Sequence, residues 1–287
     1  MSKALEQLLN ILNLKQVDDD HFSGESQDLG YRRLFGGQVL GQALVAGYRT
    51  VEGRFAHSLH AYFLRPGDPD ETISYDVDRI RDGRSFTTRR VVAKQKGKAI
   101  FNVSISFQVK EEGVEHQSPM PTVPGPDGLE SELDRARKVA EKIPEKMRYK
   151  ATCERPIEIR VVNPINYFAP KKREPTNYHW MKTISKLPDD PIIHQCLLAY
   201  ASDFGLMGTS LNPHGISFLQ KELQAASLDH AMWFHRDFKM DEWLLYAVES
   251  PNANSARGLN FGKFFSQDGK LVASTAQEGL MRMHPST

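Results

Sequence analysis

Residues 36–48 read GGQVLGQALVAGY, a mostly apolar run that exceeds the length of a typical strand. Its apolar side chains, among them Val39 and Leu44, share one face at helical spacing, so the run predicts a buried helix. Gly and Pro turns separate the strand-like segments that follow, and short turns of this kind favour antiparallel neighbours. These segments lie near residues 56–65, 71–80, 84–95 and 98–109. The pattern predicts a central helix wrapped by an antiparallel sheet.

The chain changes character on both sides of this unit. Leucines at helical spacing predict a short amphipathic helix over residues 3–13. Residues 111–150 are rich in Pro and Gly and then in charge, which is typical of a stiff connector with a possible helix at 130–141. The sequence therefore predicts an N-terminal unit, a connector and a C-terminal unit. Their ranges are 1–112, 113–154 and 155–287.

The C-terminal unit repeats the pattern of the first. A helix is predicted at about 191–204, among strand-like segments near 156–162, 178–184, 214–220, 224–236, 242–250, 254–266 and 269–280. His60-Ala61 is matched by His230-Ala231 (230 − 60 = 170), and Gly97-Lys98 by Gly269-Lys270 (269 − 97 = 172). Such self-similarity predicts a duplicated α+β unit, two hotdog folds in tandem. Coincidence between two unrelated domains stays open.

Charge and cysteine content exclude several classes of protein. The 37 Lys and Arg residues are interspersed with 36 Asp and Glu residues, whereas a nucleic-acid binder needs a concentrated basic face. Cys153 and Cys196 match no metal or redox spacing, and such low cysteine content favours a reducing compartment. No signal core and no apolar run long enough to span a membrane is found. We expect a cytoplasmic protein.

Three polar residues of the C-terminal unit lie among apolar ones. Asp203 follows Tyr200 at the edge of the apolar stripe of the second helix, and a carboxylate directed at a core needs partners. Alternation places Ser227 on the face of Asp229, Ala231 and Trp233. Gln277 lies on the last predicted strand, on a largely apolar face. Taken singly, each residue is better explained by structure than by catalysis. Asp203 would cap a neighbouring element or face solvent near the helix end, and Ser227 and Gln277 would be satisfied polar residues.

The first unit lacks such a set. At the repeat offset, the counterpart of Ser227 is His57, that of Gln277 is Phe107 or Ile105, and Asp203 meets only Ala46 or Gly47. An asymmetric duplication with one working site accounts for this difference. The trio suits thioester hydrolysis, because a thioester is electrophilic and its thiolate leaves readily. Such a reaction needs a positioned water molecule and a base.

The sequence gives less support to other kinds of catalytic or metal site. Residues 215–219 read GISFL and lack the second glycine of a serine-nucleophile elbow, and no His-Glu-x-x-His metal motif occurs. Asp229 and His235 alternate away from His230, which argues against a metal site there. His57 and His60 are interpreted as structural. Four arginines within reach of a CoA phosphate are interpreted as solvent-facing residues: Arg65, Arg89, Arg90 and Arg257.

Longer motifs resemble those of bacterial acyl-CoA thioesterase II, a double-hotdog family, along essentially the whole chain. They are FGGQV at 35–39, HAYFLRPGD at 60–68, YASD at 200–203, LDHAMWFHR at 228–236 and STAQEG at 274–279. The resemblance implies that Asp203, Ser227 and Gln277 activate water, with Ser227 where the bacterial pattern usually has Thr. It also implies medium- to long-chain acyl-CoA substrates, no metal or other cofactor, and a homo-oligomer, either a dimer or a tetramer. The peroxisomal targeting tripeptide of some relatives is lacking.

The sequence therefore predicts an acyl-CoA hydrolase that releases fatty acid and CoA by direct attack of water. Two alternatives stay open. One is a non-catalytic hotdog protein that binds acyl-CoA or an acyl carrier, and the other is a hotdog enoyl-CoA hydratase. Release of free thiol separates the hydrolase from both.

Overall fold

The computed structural model describes residues 1–30, 33–143 and 145–285. Five α-helices and two 3₁₀ segments, Ala140–Lys142 and Met207–His214, lie in this part of the chain. The helices are α1 (Lys3–Leu12), α2 (Gly36–Tyr48), α3 (Glu132–Lys138), α4 (Glu145–Thr152) and α5 (Pro191–Ala201). None of the helices described combines the length and apolar character needed to cross a membrane.

The strands all join one antiparallel sheet. The first six are β1 (Lys15–Gln16), β2 (His21–Gly24), β3 (Phe55–Phe63), β4 (Ile73–Asp82), β5 (Phe86–Gln95) and β6 (Lys98–Gln108). The other seven are β7 (Ile157–Val161), β8 (Thr176–Thr183), β9 (Leu223–Ser227), β10 (Asp229–Phe234), β11 (Leu244–Asn254), β12 (Arg257–Ser266) and β13 (Leu271–Met283).

The strand order is symmetric about its centre. It runs β1-β2-β4-β5-β6-β3-β10-β13-β12-β11-β8-β7, with β9 as a further partner of β13. Read outwards from the β3–β10 pair, β6, β5 and β4 on one side correspond to β13, β12 and β11 on the other. The molecule is therefore an α+β double hotdog, as predicted. Its two units share one continuous sheet, which was not predicted.

Helices α2 and α5 pack against each other on the inner side of the sheet. A Cβ atom at Gly37 would overlap the backbone oxygen of Tyr200, and one at Gly41 would lie 3.2 Å from that of Cys196. These two glycines therefore let the backbones of α2 and α5 approach closely. Val39 and Leu44 of α2 are buried in the hydrophobic core. Burial of each such side chain stabilises the fold by about 1.5–3 kcal/mol.

Several predicted elements differ from the observed ones. The segment 214–220 is not a strand, because the 3₁₀ segment ends at His214, its C-cap Gly215 has a left-handed φ of 63°, and the chain continues in turns. The predicted strand 224–236 is interrupted at Leu228, whose N–H bonds the backbone oxygen of Glu278 at 2.9 Å. Helix α5 ends at Ala201 rather than 204, and the short strands β1 and β2 were not predicted.

The repeat offset of 170 is wrong by one residue in the central strands. His230 is buried and pairs with Ala61, whereas His60 is exposed and pairs with Ala231. Because a two-fold relation keeps the inner face of the sheet inside, these histidines are not equivalent. An offset of 171 instead relates Leu59, which is also buried, to His230 (230 − 59 = 171).

Candidate active site

Asp203 lies in the turn after α5, two residues beyond Ala201. Its Oδ1 accepts a hydrogen bond from the side-chain amide of Gln277 at 2.8 Å. Its Oδ2 accepts one from the backbone N–H of Gly37 at 3.0 Å. The half-buried carboxylate is thus held by groups from both repeats, since Gly37 belongs to α2.

The start of α2 explains why the carboxylate lies there. Its N-cap residue is Phe35, which offers no side-chain acceptor to the first N–H groups of the helix. Asp203 supplies that acceptor from 166 residues away. A Cβ atom at Gly36 would lie 2.8 Å from Oδ2, so glycine leaves room for the carboxylate. A helix N-terminus also carries partial positive charge, which stabilises an anion.

Gln277 lies on the inner face of β13 and is almost fully buried. Its Nε2 donates to Asp203 Oδ1 and also, at 3.1 Å, to Nδ1 of His230. Both amide protons are therefore used. The carbonyl oxygen Oε1 is buried and has no hydrogen-bond partner within the described residues. Because an unpaired buried acceptor is costly, this oxygen marks a place for a donor such as water.

Ser227 ends β9 and lies opposite Gly279 on β13. Cross-strand partners point to the same face, and Gly279 is two residues beyond Gln277, so Ser227 faces the same side as Gln277. The prediction that Ser227 shares the face of Asp229, Ala231 and Trp233 is therefore wrong. The interruption at Leu228 shifts the alternation by one residue between β9 and β10. The three residues predicted from sequence thus lie on one side of the sheet.

His230 and Ser202 also belong to this cluster, although the sequence did not single them out as site residues. His230 is fully buried, which lowers its pKa from 6.5 to about 4, while the Asp203 charge opposes the shift. Its Nε2 lies 3.0 Å from Ser202 Oγ, and that hydroxyl donates to the backbone oxygen of Ala199 at 2.9 Å. The predicted alternation did place His230 on the face opposite Asp229, which is the inner one.

Asn260 is a further polar residue beside Gln277. It lies opposite Gln277 on the neighbouring strand β12 and is fully buried. Its Oδ1, like Oε1 of Gln277, has no partner in the part of the chain that the structure describes. A single sequence gives no signal for such a residue, because an inward Asn on a strand is an ordinary satisfied polar group in most proteins.

An aromatic wall borders the Asp203 turn. The ring of Phe35 stacks on Phe204 at 4.5 Å and meets Tyr200 edge-on at 5.3 Å. Tyr200 and Phe204 also line a cavity of about 390 Å³, which is within the size range of small-molecule sites. The rest of the lining is mixed: it includes three cationic residues, Lys3, Lys150 and Arg155, two acidic ones, Asp28 and Glu154, and apolar residues such as Ile157.

The other candidates have partners elsewhere. His57 Nε2 lies 2.8 Å from Ser106 Oγ, and the His60 ring packs edge-on against Trp233. Burial raises the pKa of the Cys196 thiol, which disfavours a thiolate nucleophile. Within the described residues, no group of three or more His, Cys, Asp or Glu is placed to hold a metal ion.

Comparison with known proteins gives matches to both halves and to the whole chain. A family model described as acyl-CoA thioesterase matches residues 146–280, and one described as the acyl-CoA thioesterase N-terminal domain matches residues 24–108. Acyl-CoA thioesterase 2 of Haemophilus influenzae is 48% identical over 283 residues, which is 98% of this chain and 99% of that protein. Acyl-coenzyme A thioesterase 8 of Homo sapiens is 42% identical over 96% of this chain and 88% of its own length.

Solved structures agree with the fold. An acyl-CoA thioesterase II from Mycobacterium marinum is 41% identical and superposes with a TM-score of 0.79, over 97% of this chain and 99% of its own. A hotdog protein from Alicyclobacillus acidocaldarius is 19% identical, with a TM-score of 0.77 over 98% and 99% of the two chains. That second match bears on the fold alone.

Proposed function

The chain belongs to the acyl-CoA thioesterase family, and we propose that it hydrolyses acyl-CoA to fatty acid and CoA by direct attack of water. The observation that carries this proposal is a pair of acceptors on the inner side of the sheet that are linked through the Gln277 amide group. One is the Asp203 carboxylate, and the other is the unpartnered Oε1 of Gln277, whose own amide donates to that carboxylate. A water molecule between them would donate one proton to each.

The proposed chemistry starts with proton transfer to Asp203. Each carboxylate oxygen accepts one hydrogen bond from protein and keeps a lone pair for the water proton. As Asp203 takes this proton, the water oxygen bonds to the thioester carbonyl carbon. Collapse of the tetrahedral intermediate breaks the C–S bond, and the proton passes from Asp203 to the thiolate sulfur. A thiol of this kind has a pKa of about 8.5, so the departing thiolate needs little acid assistance.

Ser227 is proposed to hold the same water molecule. Its position on the face of Gln277, one strand over from Gly279, supports this role. A hydroxyl can donate to the water oxygen and so direct the lone pair that attacks the carbonyl carbon. The loss of the methyl group, relative to the Thr of the bacterial pattern, leaves the serine hydroxyl with more rotamers.

The substrate is proposed to be a medium- to long-chain acyl-CoA. The aromatic wall of Phe35, Tyr200 and Phe204 and the adjoining cavity support an apolar acyl group close to Asp203. Three cationic residues of the cavity lining, Lys3, Lys150 and Arg155, outnumber the acidic Asp28 and Glu154 and suit the phosphates of CoA.

Free thiol release tests this function. Purified protein is mixed with saturating acyl-CoA of increasing chain length and a thiol-trapping dye, and we expect steady thiol release that is fastest with medium or long chains. Stoichiometric binding without thiol would favour the non-catalytic binder. Loss of the 2-enoyl chromophore without thiol would favour the hydratase.

The setting of the enzyme is also proposed. Cys153 and Cys196 are both free thiols, which supports a cytoplasmic location. Strand β1 ends the sheet with an exposed edge, which supports self-association into a dimer or tetramer; the other end strand, β7, is partly covered by a bridge from Arg160 to Ser131. The division at 1–112, 113–154 and 155–287 places the Asp203 set in the C-terminal repeat. Sedimentation at the mass of one 32.5 kDa chain would contradict the oligomer.

A further inference from the structure

A closed ring of interactions lies behind the Asp203 carboxylate. Asp203 accepts from Gln277 at 2.8 Å, Gln277 donates to His230 at 3.1 Å, and His230 meets Ser202 at 3.0 Å. Ser202 and Asp203 are covalent neighbours, so the ring closes through their peptide bond. The hydrogen bonds through His230 and Ser202 and the peptide bond to Asp203 thereby fix the carboxylate and the Gln277 amide relative to each other.

Each proton in the ring has one place. The Ser202 hydroxyl donates to a backbone oxygen, so it must accept from Nε2 of His230. The single proton of the neutral ring therefore lies on Nε2, and Nδ1 can only accept from Gln277. That proton is donated to Ser202 Oγ, whose own proton goes to the backbone oxygen of Ala199. The hydroxyl of Tyr246 donates to the backbone oxygen of Ser202 at 3.0 Å and holds that residue from its other side.

This order of donors and acceptors decides which way the Gln277 amide points. In the reversed orientation, Oε1 would face both the Asp203 carboxylate and the Nδ1 lone pair of His230. Both contacts would be repulsive. In the observed orientation both contacts are hydrogen bonds, and Oε1 keeps its lone pairs for another donor.

We propose that His230 and Ser202 are positioning residues that lock the Gln277 amide with its oxygen towards the attacking water. Neither residue touches the reacting atoms; they act through Gln277. This inference rests on the proposed function, because it assigns a reason for the orientation of a group that the proposed mechanism uses. It adds two buried residues that neither composition nor motif spacing singles out.

Two substitutions at His230 separate positioning from packing. In His230→Asn the amide oxygen takes the place of Nδ1 and can accept from Gln277. In His230→Gln the amide nitrogen takes the place of Nε2 and can donate to Ser202, but the Nδ1 acceptor is lost. We expect His230→Gln to lower kcat about tenfold, the value of one buried hydrogen bond, with KM nearly unchanged. His230→Asn should keep kcat within about threefold of the native value.

The outcomes divide cleanly. Equal kcat for the two variants, whether both normal or both reduced, would mean that the ring only fills space and would overturn the proposal. If His230→Gln does not fold, Ser202→Ala takes its place, since it removes one oxygen without adding volume. That variant should lower kcat about threefold at constant KM, and an unchanged kcat would again overturn the proposal.

A separate variant distinguishes failure of this inference from failure of the mechanism. Gln277→Ala tests whether the amide takes part at all. Full activity in Gln277→Ala would remove the mechanism itself. Reduced activity there, together with equal His230→Asn and His230→Gln variants, would remove only the positioning role.

Discussion

The two repeats place different side chains at the same point of the shared sheet. In the C-terminal repeat, His230, Asn260 and Gln277 lie side by side on the inner face. Offsets of 171, 171 and 172 (230 − 59, 260 − 89 and 277 − 105) relate them to Leu59, Arg89 and Ile105 of the N-terminal repeat. The pairing agrees, since Ile105 lies opposite both Leu59 and Arg89, and Gln277 lies opposite Asn260.

The N-terminal counterpart of the site is filled and satisfied. Arg89 was expected to face solvent, yet it is buried. Its Nε donates to Thr50 Oγ1 at 2.9 Å, and its Nη2 donates to the Thr50 backbone oxygen at 3.0 Å and to Asp82 at 2.6 Å. The shorter Asn260 leaves two buried oxygens, its own Oδ1 and Oε1 of Gln277, without partners among the described residues. In the N-terminal repeat, the Arg89 guanidinium thus fills the position and has its hydrogen bonds satisfied. In the C-terminal repeat, two side-chain oxygens can still accept hydrogen bonds from a donor.

The two central helices also differ in how their N-termini are capped. Helix α5 is capped locally, since Asp190 accepts from the N–H of Ile192 and Pro191 has no N–H to satisfy. Helix α2 has no such cap, and Asp203 of the other repeat serves it. The N-terminal repeat therefore contributes to the proposed site through the backbone N–H of Gly37.

Asp203→Asn should have the largest effect on activity. Asn caps a helix about as well as Asp, so the α2 start can keep its acceptor. The amide nitrogen of Asn then faces the Nε2 donor of Gln277 and one hydrogen bond is lost, so the melting temperature should fall by only a few degrees. The base is lost, and kcat should fall about a thousandfold. Thiol release at saturating acyl-CoA, with a thermal melt beside it, measures both. Near-native kcat would remove Asp203 as the base, and a collapsed melt would mean that capping is its main role.

Gln277→Ala should lower kcat about a hundredfold, because the water loses an acceptor and Asp203 loses a donor. Ile105→Ala, at the counterpart position, is the matched control. It removes a buried side chain and should cost about 2–4 kcal/mol of stability while kcat per folded molecule stays near native. Equal losses of kcat in the two variants would contradict the claim that only the C-terminal repeat supplies side chains to the reaction.

Acid should destabilise the C-terminal repeat more than the N-terminal one. Burial lowers the pKa of both His179 and His230 from 6.5 to about 4. The unfolded chain then binds more protons than the folded one between these values, so stability is lost as the pH falls through this window. Each histidine should cost about 2 kcal/mol between pH 6.5 and pH 5. Urea unfolding at both pH values measures the free energy of unfolding of the native protein and of His230→Asn. The variant should lose about 2 kcal/mol less between the two pH values, because it lacks one of the two histidines. The same loss in both proteins would contradict the prediction.

Ser227→Ala should have the smallest effect, a fall in kcat of about tenfold, because two acceptors still hold the water. Ser227→Thr keeps the hydroxyl and should stay within about threefold of native, since its extra methyl group restricts the rotamer. Steady-state thiol release compares the three proteins. An alanine variant as active as the threonine variant would remove Ser227 from the mechanism.

Local patterns predicted much of the fold. The apolar run at 36–48 gave α2 at its observed bounds, and the turns at Gly97 and Gly269 adopt left-handed φ values of 74° and 84°. Long-range contacts escaped prediction for physical reasons. The Gly37 N–H carries no side-chain signal, and the interruption at Leu228, which reverses the face of Ser227, depends on a hydrogen bond to Glu278.

The candidate site was predicted only in part, because local patterns show polar residues on apolar faces but do not show long-range contacts. Asp203, Ser227 and Gln277 stood out because polar residues interrupt apolar faces, and their joint role stays a prediction. His230 was hidden by the false match to His60, since an offset of one residue exchanges the two faces of a strand.

A double-mutant cycle tests most directly whether Asp203 and Gln277 act on one shared water molecule. Residues that work as a unit are not additive, so adding Gln277→Ala to Asp203→Asn should leave kcat about where Asp203→Asn alone puts it. If the two losses multiply instead, to a fall of about a hundred-thousandfold, the residues act independently and the shared water is contradicted.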